Sequence, residues 1–599
     1  MDVASLTRDV DPRSLDHVWA HFPSLTAIFP DNMPRTPRRF SFSATHWTPA
    51  FLAGVLLLGC SDVKQQAAGP ADVGGTIVVA TPGEPDYLLP PLAAQIVGRE
   101  VTDLLYDRLA EIGDNLSTVD DKGFKPQLAA RWEWAPDSLS IVFHLDPKAR
   151  WHDGQPVRAS DVRYSLNLVK DPAFGSPTAP LVTNIDSISV RDSLTAVAHF
   201  KRHTPEQFYD LAYQVYIVPE HILGNTPPAQ LKTAEVARRG IGSGRFRLVK
   251  WDAGKQVELV ADTLNYRGRP KLDRVVFSKS PDFNSAVTRF LSGDADVFEI
   301  LRPENIEKLK GDTLRRAVPY PSLQYGYLAL NLIDAAHPGQ PHRIFGDRAV
   351  RRALTMAVDR RSMLQNVFGG YGFPLFGPFP HSLPVADTTL PQLPYDTVKA
   401  RALLDSAGWT VGADGVRVKN GQRLAFTITV PVSSAIRMKY SVLLQEAFKK
   451  VGASVKLDQT DMAGYGAKNT DRSFDTTVES YSTDPSVSGF KQSWSSAALG
   501  KDGLNFTSYA NPTVDALLDS ATFTFDPART RAYARRAFEI INEDAPGIWL
   551  YEPATVAGIQ KRIHPTHMRA DGWWSGLADW WIPASERTAR DRIGLRPTP

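Results

Sequence analysis

The chain contains 599 residues, of which 43% are hydrophobic and 22% are charged, and its formal net charge is +3. This is the composition of an ordinary globular protein, and the dispersal of Lys and Arg among Asp and Glu does not indicate a nucleic-acid-binding surface. The sequence has one cysteine, Cys60. It therefore excludes an intramolecular disulfide and a metal site built from several cysteines.

The N-terminal region predicts export. An apolar run at 50–59 follows a basic stretch at 35–39, and it is shorter than the roughly 20 residues of a membrane-spanning helix but fits the apolar core of a secretory signal. The residues ending at Cys60 resemble a bacterial lipobox, which implies that this thiol is acylated; the alternative is a buried core cysteine. We predict that residues 1–59 contain a signal sequence. Because the residues before Met33 are acidic where a signal should be basic, we place the true translation start at Met33.

The next segments predict a tether followed by a sheet-rich body. Residues 60–75 are rich in Ala, Gly, Asp and Gln, a composition typical of a flexible linker. A buried strand is predicted at 76–80 and a helix within 95–109, where apolar residues recur at helical spacing. The turn-rich stretch 132–277 predicts mainly strands.

Three helices in the later half of the chain have recognisable N-terminal signals. Asp347, Asp396 and Asp526 each precede an amphipathic run, and Asp is a favoured N-cap residue because its carboxylate accepts backbone N–H bonds. Gly408 is expected to end the second helix, and Pro546 the third.

A strand, helix, strand unit lies between the second and third of these helices. Residues 426–430 alternate between apolar side chains and Thr, 442–451 has helical spacing, and 453–457 again predicts a strand. Such alternation favours an α/β lobe in the later half of the chain.

A series of short motifs then carries a family resemblance. In chain order they are Pro126-Gln127-Leu128-Ala129, Trp132-Glu133, Phe143-His144-Leu145, Trp151-His152-Asp153-Gly154, Ala159-Ser160-Asp161-Val162, Val218-Pro219-Glu220-His221, Gly242-Ser243-Gly244 with Phe246, Asn265-Tyr266, Gly293-Asp294-Ala295-Asp296-Val297, Leu330-Asn331, the stretch 348–359 and the stretch 395–409. Together they resemble the large extracytoplasmic solute-binding proteins of ABC importers, a family with dipeptide-, oligopeptide- and nickel-binding members. The resemblance covers about 75–583.

The resemblance implies an α/β fold of the two-lobed periplasmic binding protein type 2 class, with an extra subdomain inserted in the first lobe. The implied boundaries are 76–325 for lobe I with its insertion at about 119–236, 326–545 for lobe II, 546–585 for the return to lobe I, and 586–599 for a tail. A solute captured between the lobes would be delivered to ABC permease subunits. The implied protein is a monomer held at the membrane by its N-terminal lipid, with no cofactor and no enzymatic activity.

The same resemblance implies the site. In peptide-binding members an aspartate pairs with the ligand α-ammonium, with two residues separating it from an aromatic, and here Asp484 and Tyr481 match that spacing. The alternative is that Asp484, which precedes Pro485, opens a turn and bonds its own loop. Gln95 and Tyr325 fall in regions that line the cleft in relatives.

Other interpretations stay open at this level. His144 and His152 invite a metal site, but no third ligand has suitable spacing, and Asp153-Gly154 is typical of a tight turn. A secreted hydrolase is the rival enzyme class, although the sequence has neither a Gly-x-Ser-x-Gly nor a His-Glu-x-x-His motif. The same fold could instead bind a sugar, an opine or a metal chelate, or serve as a chaperone or sensor partner.

Overall fold

The computed structural model describes residues 72–93, 95–337, 339–500 and 503–592. The predicted signal sequence, Cys60 and most of the predicted tether lie outside these residues. The end of the tether is different from what we predict, because Gly74 and Gly75 bond through their backbone N–H groups to the body of the protein, at Lys271 O and Asp273 Oδ2. Within the described ranges, no helix is long and apolar enough to cross a membrane.

The strands form several sheets. The strands are β1 (Thr76–Thr81), β2 (Ala110–Glu111), β3 (Lys125–Pro126), β4 (Ala129–Trp134), β5 (Ser140–Leu145), β6 (Ile185–Asp192), β7 (Thr195–Phe200), β8 (Phe246–Asp252), β9 (Gln256–Ala261), β10 (Arg274–Lys279), β11 (Val297–Phe298), β12 (Arg315–Tyr320), β13 (Gln324–Leu330), β14 (Gly372–Phe373), β15 (Thr410–Val411), β16 (Arg417–Lys419), β17 (Gln422–Arg423), β18 (Ala425–Pro431), β19 (Ser454–Thr460), β20 (Thr476–Ser482), β21 (Gly547–Pro553) and β22 (Thr555–Gln560).

Helices pack on both large sheets and on the insertion. They are α1 (Ile96–Leu105), α2 (Ala159–Lys170), α3 (Gln207–Ala212), α4 (Glu220–Leu223), α5 (Phe283–Ser292), α6 (Pro303–Glu307), α7 (Arg348–Met356), α8 (Arg360–Phe368), α9 (Thr397–Ser406), α10 (Ala435–Lys449), α11 (Met462–Asp471), α12 (Ser488–Trp494), α13 (Pro512–Thr522) and α14 (Pro527–Asp544).

The first lobe is built on a seven-stranded sheet in the order β12-β22-β11-β1-β10-β9-β8. Every residue of β1 is buried, as expected for a strand covered on both faces, and it runs parallel to β10 and β11. The predicted strand at 76–80 is thereby confirmed. The predicted helix is shorter than 95–109, because α1 ends at Leu105 and the chain turns there to start the insertion.

The insertion leaves the first sheet after α1 and rejoins it at β8. It contains an antiparallel sheet in the order β4-β5-β7-β6, and the expected subdomain at 119–236 lies within it. Its side chains share one hydrophobic cluster with those of the second lobe, including Phe143, Phe208, Tyr325, Phe490 and Trp549. The insertion therefore packs against the second lobe as well as belonging to the first.

The second lobe is built on a six-stranded sheet in the order β14-β21-β13-β20-β18-β19. β18 runs parallel to both β19 and β20, and α10 connects β18 to β19, which confirms the predicted strand, helix, strand unit. α10 begins at Ala435, before the predicted 442, because the helical spacing extends into residues that are exposed.

The three predicted N-caps are confirmed. The side chain of Asp347 accepts from Ala349 N, that of Asp396 from Val398 N and Lys399 N, and that of Asp526 from Ala528 N. Each carboxylate therefore satisfies backbone donors that a helix start leaves unpaired.

Two crossings join the lobes, and both differ slightly from the expected boundaries. β12 belongs to the first sheet and β13, from Gln324, to the second, while β21 belongs to the second sheet and β22 to the first. The return to the first lobe is therefore at Ala554 rather than at 546, because Gly547–Pro553 fills an inner position of the second sheet. The beginning of the expected tail is also part of the body, since Asp591 Oδ1 accepts from Thr76 N at 2.7 Å.

A short segment of the second lobe contacts both crossings. Ser382 Oγ donates to Ser322 O at 2.7 Å in the first crossing. The backbone N–H of His381 donates to Glu552 Oε2 at 2.7 Å, and His381 Nδ1 lies 2.6 Å from Glu552 Oε1, immediately before the second crossing. The first connection is thus bonded to Ser382 and the second to its neighbour His381.

Candidate functional site

The predicted site lies where the two lobes meet, beyond the end of β20. Parallel strands place their carboxyl ends at one edge of a sheet, where loops have room to hold ligands. Tyr481 is near the end of β20 and pairs with Tyr325 on β13, with 5.7 Å between their ring centroids. Tyr325 is buried, and this burial raises the pKa of its hydroxyl, so it serves as a packed support for Tyr481.

Asp484 receives hydrogen bonds from both sides of the lobe boundary. Tyr209 Oη, on α3 of the insertion, donates to Oδ1 and Oδ2 at 3.1 and 3.0 Å, and Gln214 Nε2 donates to Oδ2 at 3.3 Å. Ser486 N in its own loop donates to Oδ1 at 2.8 Å. The carboxylate thus bonds its own loop, as the turn alternative predicts, and also faces residues of the other lobe.

Asp484 is accessible to solvent although protein surrounds it on several sides. Desolvation by these surroundings raises the pKa of Asp484, and the bonds from Ser486 N, Tyr209 and Gln214 oppose that rise. The carboxylate therefore sits in a walled recess that water still reaches.

Glu206 fixes the loop that carries Asp484. Its buried carboxylate accepts from Ser486 Oγ at 2.6 Å and from Val487 N at 3.1 Å in the second lobe, and from Thr118 Oγ1 at 2.6 Å in the insertion. Burial raises the pKa of Glu206. Because the carboxylate is held by neutral donors on both sides, it couples the loop position to the contact between the lobes.

The surroundings of Asp484 are acidic. Burial, reinforced by Glu206 and Asp484, raises the pKa of Asp210 well above its usual range. Among the residues that the structure describes, no Lys or Arg forms an ion pair with Glu206, Asp210 or Asp484. The recess therefore favours a positively charged group.

A chain of contacts ties this recess to the C-terminal part of the first lobe. The ring of Tyr209 stacks on that of Tyr213, with centroids 5.5 Å apart. Tyr213 Oη donates to Asp571 Oδ2 at 2.6 Å, and Asp571 Oδ1 accepts from Arg569 Nε at 2.9 Å. Arg569 Nη1 in turn donates to Ile112 O at 2.9 Å, so Tyr209 is positioned by a network anchored in the first lobe.

Comparison with known proteins identifies the family. The profile of bacterial extracellular solute-binding proteins, family 5 Middle, matches residues 123–500. The chain belongs to family 5 of these solute-binding proteins. It is also 27% identical over 548 residues to the oligopeptide-binding protein AppA of Bacillus subtilis, which covers 88% of this chain and 96% of AppA.

Solved structures of relatives share the fold. AppA from Bacillus subtilis in complex with a nonapeptide superposes with a TM-score of 0.68 at 24% identity, covering 85% of this chain and 99% of AppA. NikZ from Campylobacter jejuni in complex with Ni(L-His) superposes with a TM-score of 0.69 at 24% identity, covering 84% and 99%. The predicted two-lobed α/β class is confirmed, and family 5 members are extracytoplasmic binding proteins for transport.

Gln95 is not brought to the recess in the described structure. It precedes α1, its side chain is exposed, and its backbone N–H donates to Asp86 Oδ2 at 3.1 Å. The hydrogen-bonding partners of Asp484 are instead Tyr209, Gln214 and Ser486. Of the four predicted binding residues, the structure therefore groups Tyr325, Tyr481 and Asp484.

Sequence reasoning missed the partners from the insertion. Tyr209 is 275 residues from Asp484 along the chain, and it lies in a short helix with no distinctive motif. Family 5 motifs give no signal for Tyr209, Gln214 or Glu206, and only the packing of α3 against the second lobe reveals them.

The histidines that suggested a metal site have other surroundings. His152 Nε2 lies 3.0 Å from Gly244 O, and Gly242 N donates to its Nδ1 at 3.1 Å, so His152 braces a glycine-rich turn. Burial lowers the pKa of this imidazole. Gly154 has φ +87°, which confirms the tight turn, and the described residues contain no group of three or more His, Cys, Asp or Glu that could hold a metal ion.

Proposed function

We propose that this family 5 protein is the lipid-anchored solute-binding component of an ABC importer and that it captures di- or oligopeptides between its lobes. Acylation of Cys60 would hold it at a membrane outside the cytoplasm, and the closed form would deliver the peptide to the permease. The oligopeptide-binding protein AppA among its relatives supports the peptide assignment, as does a DppA structure from Helicobacter pylori in complex with the peptide STSA.

One observation carries the proposal: Asp484 is a carboxylate at the lobe boundary whose described partners are all neutral donors. A peptide brings an α-ammonium group that loses water when the lobes close, which is costly unless a carboxylate meets it. A charge-assisted hydrogen bond of this kind contributes about 1.5–3 kcal/mol, or roughly 10–150-fold in affinity.

The neutral donors define how the ammonium would enter. A carboxylate presents about four acceptor positions, and Tyr209, Gln214 and Ser486 N already approach Asp484. The incoming ammonium would take the position of Gln214 Nε2, because Ser486 N belongs to the loop and Tyr209 is held by its stacking on Tyr213. Closure then depends on how much more tightly the peptide binds the closed state than the open one.

The test uses a peptide and its N-acetylated form with the wild-type protein and with Asp484→Asn. Asparagine keeps the size and the acceptor oxygen of the side chain but removes its charge. We expect the wild type to bind the free peptide at least about tenfold more tightly than the acetylated one, and Asp484→Asn to lose that preference. Calorimetric titration measures both affinities, and Glu446→Gln, an exposed change on α10 of the same lobe, is the charge-matched control.

Four results would count against this proposal. If Asp484→Asn retains the full preference for the free amine, Asp484 does not bind the ammonium. If peptides fail to bind while sugars, opines or metal chelates do, the importer assignment stands with a different solute; NikZ, whose structure contains Ni(L-His), shows that the fold can hold such a chelate. Turnover of peptides rather than stoichiometric capture would favour the hydrolase rival, and a lack of any dependence on a permease would favour a chaperone or sensor.

A further inference from the structure

A second concave site lies on the first lobe. A cavity of about 380 Å³ opens between the tip of the β8–β9 hairpin, the end of β10 and helix α5. Its lining includes Lys255, Ser278, Lys279, Ser280 and Arg289. These residues take no part in the recess around Asp484.

Arg289 supplies hydrogen-bond donors without a compensating carboxylate. Its Nη1 donates to Ser278 Oγ at 2.7 Å and lies 3.4 Å from Lys279 O. No ion pair in the described part of the chain involves Arg289. Since a guanidinium has five N–H donors in a planar fork, the neutral oxygens of Ser278 and Lys279 leave both its charge and several of its donors available.

Ser280 adds a buried hydroxyl that is unpaired. It is 1% exposed, its backbone N–H donates to Thr81 O at 2.7 Å, and its Oγ has no hydrogen-bond partner among the described residues. Buried hydroxyl groups normally find a partner because leaving one unpaired is unfavourable. Ser280 lines the cavity, and a ligand oxygen there would accept this hydrogen bond once the side chain turns toward it.

The other charges nearby leave the cavity positive. Lys279 Nζ pairs with Glu84 Oε1 at 2.6 Å, and Glu84 Oε2 also accepts from Gly254 N at 2.7 Å. Lys255 is exposed and its Nζ lies 3.8 Å from Asp252 Oδ2. The carboxylates at this end of the lobe are therefore engaged with other groups, whereas Arg289 is not.

We propose that this cavity is a binding site for a phosphate-type oxyanion, held by Arg289 and Ser280 and attracted by Lys255. Such an anion needs donors from several directions, and guanidinium groups bind it through paired N–H bonds. The proposal goes beyond solute capture at Asp484 and does not depend on it. The same group is presented by free phosphate and by the headgroup of an anionic phospholipid.

The first experiment titrates inorganic phosphate into the full-length protein by calorimetry, with sodium chloride at matched ionic strength as the reference. We expect saturable binding to the wild type, a loss of about tenfold or more in Arg289→Gln, and a smaller loss in Ser280→Ala. Arg361→Gln removes the same charge from an exposed position on α8 and should bind phosphate like the wild type.

A further variant separates binding from folding. Arg289→Lys keeps the charge but not the planar fork, so an affinity between those of the wild type and Arg289→Gln is expected. Melting temperatures in chloride, in the absence of phosphate, identify any variant that is destabilised. Phosphate binding that is absent, or equal in the wild type and Arg289→Gln, would overturn the proposal.

The second experiment distinguishes the source of the oxyanion. Wild type and Arg289→Gln are sedimented with vesicles of phosphatidylglycerol and, separately, of phosphatidylcholine. Greater sedimentation of the wild type with phosphatidylglycerol, abolished by phosphate, identifies a headgroup site. Equal sedimentation of the two proteins, together with Arg289-dependent phosphate binding, identifies a site for free phosphate.

Discussion

Buried Glu100 on α1 and half-buried Glu299 beside it lead to a prediction about the dependence of stability on pH. Trp573 Nε1 donates to Glu100 Oε1 at 2.8 Å and to Glu299 Oε2 at 3.2 Å, and Glu100 is 1% exposed. Burial, together with the neighbouring Glu299, raises the pKa of Glu100 well above its usual range. Glu100 therefore keeps its proton to a higher pH in the folded protein than in the unfolded chain.

The sign of the effect follows from that proton. The pKa of Glu100 is higher in the folded protein than in the unfolded chain, so its contribution to stability is fully present below pH 4.5, the ordinary glutamate value. The contribution is lost as the pH rises through the folded value. Over that interval the free energy of unfolding falls by about 1.4 kcal/mol for each pH unit.

Replacing Glu100 with Gln should remove the contribution of Glu100 to this dependence, while Glu299, whose pKa burial also raises, still titrates. The amide keeps an acceptor for Trp573 and a donor for Glu299 but does not titrate. We expect Glu100→Gln to resemble the wild type near pH 4, to lose less stability as the pH rises, and to be the more stable protein at pH 8. Urea unfolding followed by tryptophan fluorescence at a series of pH values measures the two slopes.

The refuting result is specific. If wild type and Glu100→Gln lose stability in parallel between pH 4 and pH 8, folding does not raise the pKa of Glu100. Glu446→Gln, exposed on α10, should leave the slope unchanged and controls for the loss of one negative charge.

Three further changes test the interlobe contacts and the second sheet. Tyr209→Phe keeps the stacked ring but removes the hydroxyl bond to Asp484. Because that carboxylate is solvent-accessible, we expect the free energy of unfolding to fall by only about 0.5–1.5 kcal/mol. We also expect small-angle scattering to show a more open ligand-free protein. Glu552 raises the pKa of His381, so the stability that His381 adds is present below about pH 6.5 and is lost as the pH rises. The difference in melting temperature between the wild type and the less stable His381→Gln should therefore be larger at pH 5 than at pH 8. Gly326→Ala should destabilise by about 1–3 kcal/mol in thermal melts, because a Cβ there would lie 2.2 Å from a tyrosine ring on β21.

Local features of this protein were predictable from the sequence because they depend on neighbours in the chain. The helix starts at Asp347, Asp396 and Asp526 are formed by carboxylates that bond N–H groups two or three residues ahead. The central strand β1 was predictable from its continuous apolar run, and the β18-α10-β19 unit from its change of periodicity. The family motifs extended this local information to the two-lobed fold.

Boundaries between the lobes were less predictable. β21 and β22 are consecutive apolar strands separated by Ala554, yet they belong to different sheets. Nothing in their composition distinguishes a strand that pairs with β13 from one that pairs with β12, because backbone pairing depends on which edge is available. This is why the predicted return to the first lobe, at 546, precedes the observed return at Ala554 in the chain.

The sequence by itself indicated the local elements, the family and the acid at Asp484, and acylation at Cys60 stays a prediction because that residue lies outside the described ranges. Tertiary structure decided what surrounds that acid: Tyr209 and Gln214 approach it from the insertion, and Glu206 holds its loop. The physical reason is that a hydrogen bond between residues 275 positions apart leaves no periodic or spacing pattern in the sequence. Such contacts exist only after the two lobes have folded and packed together.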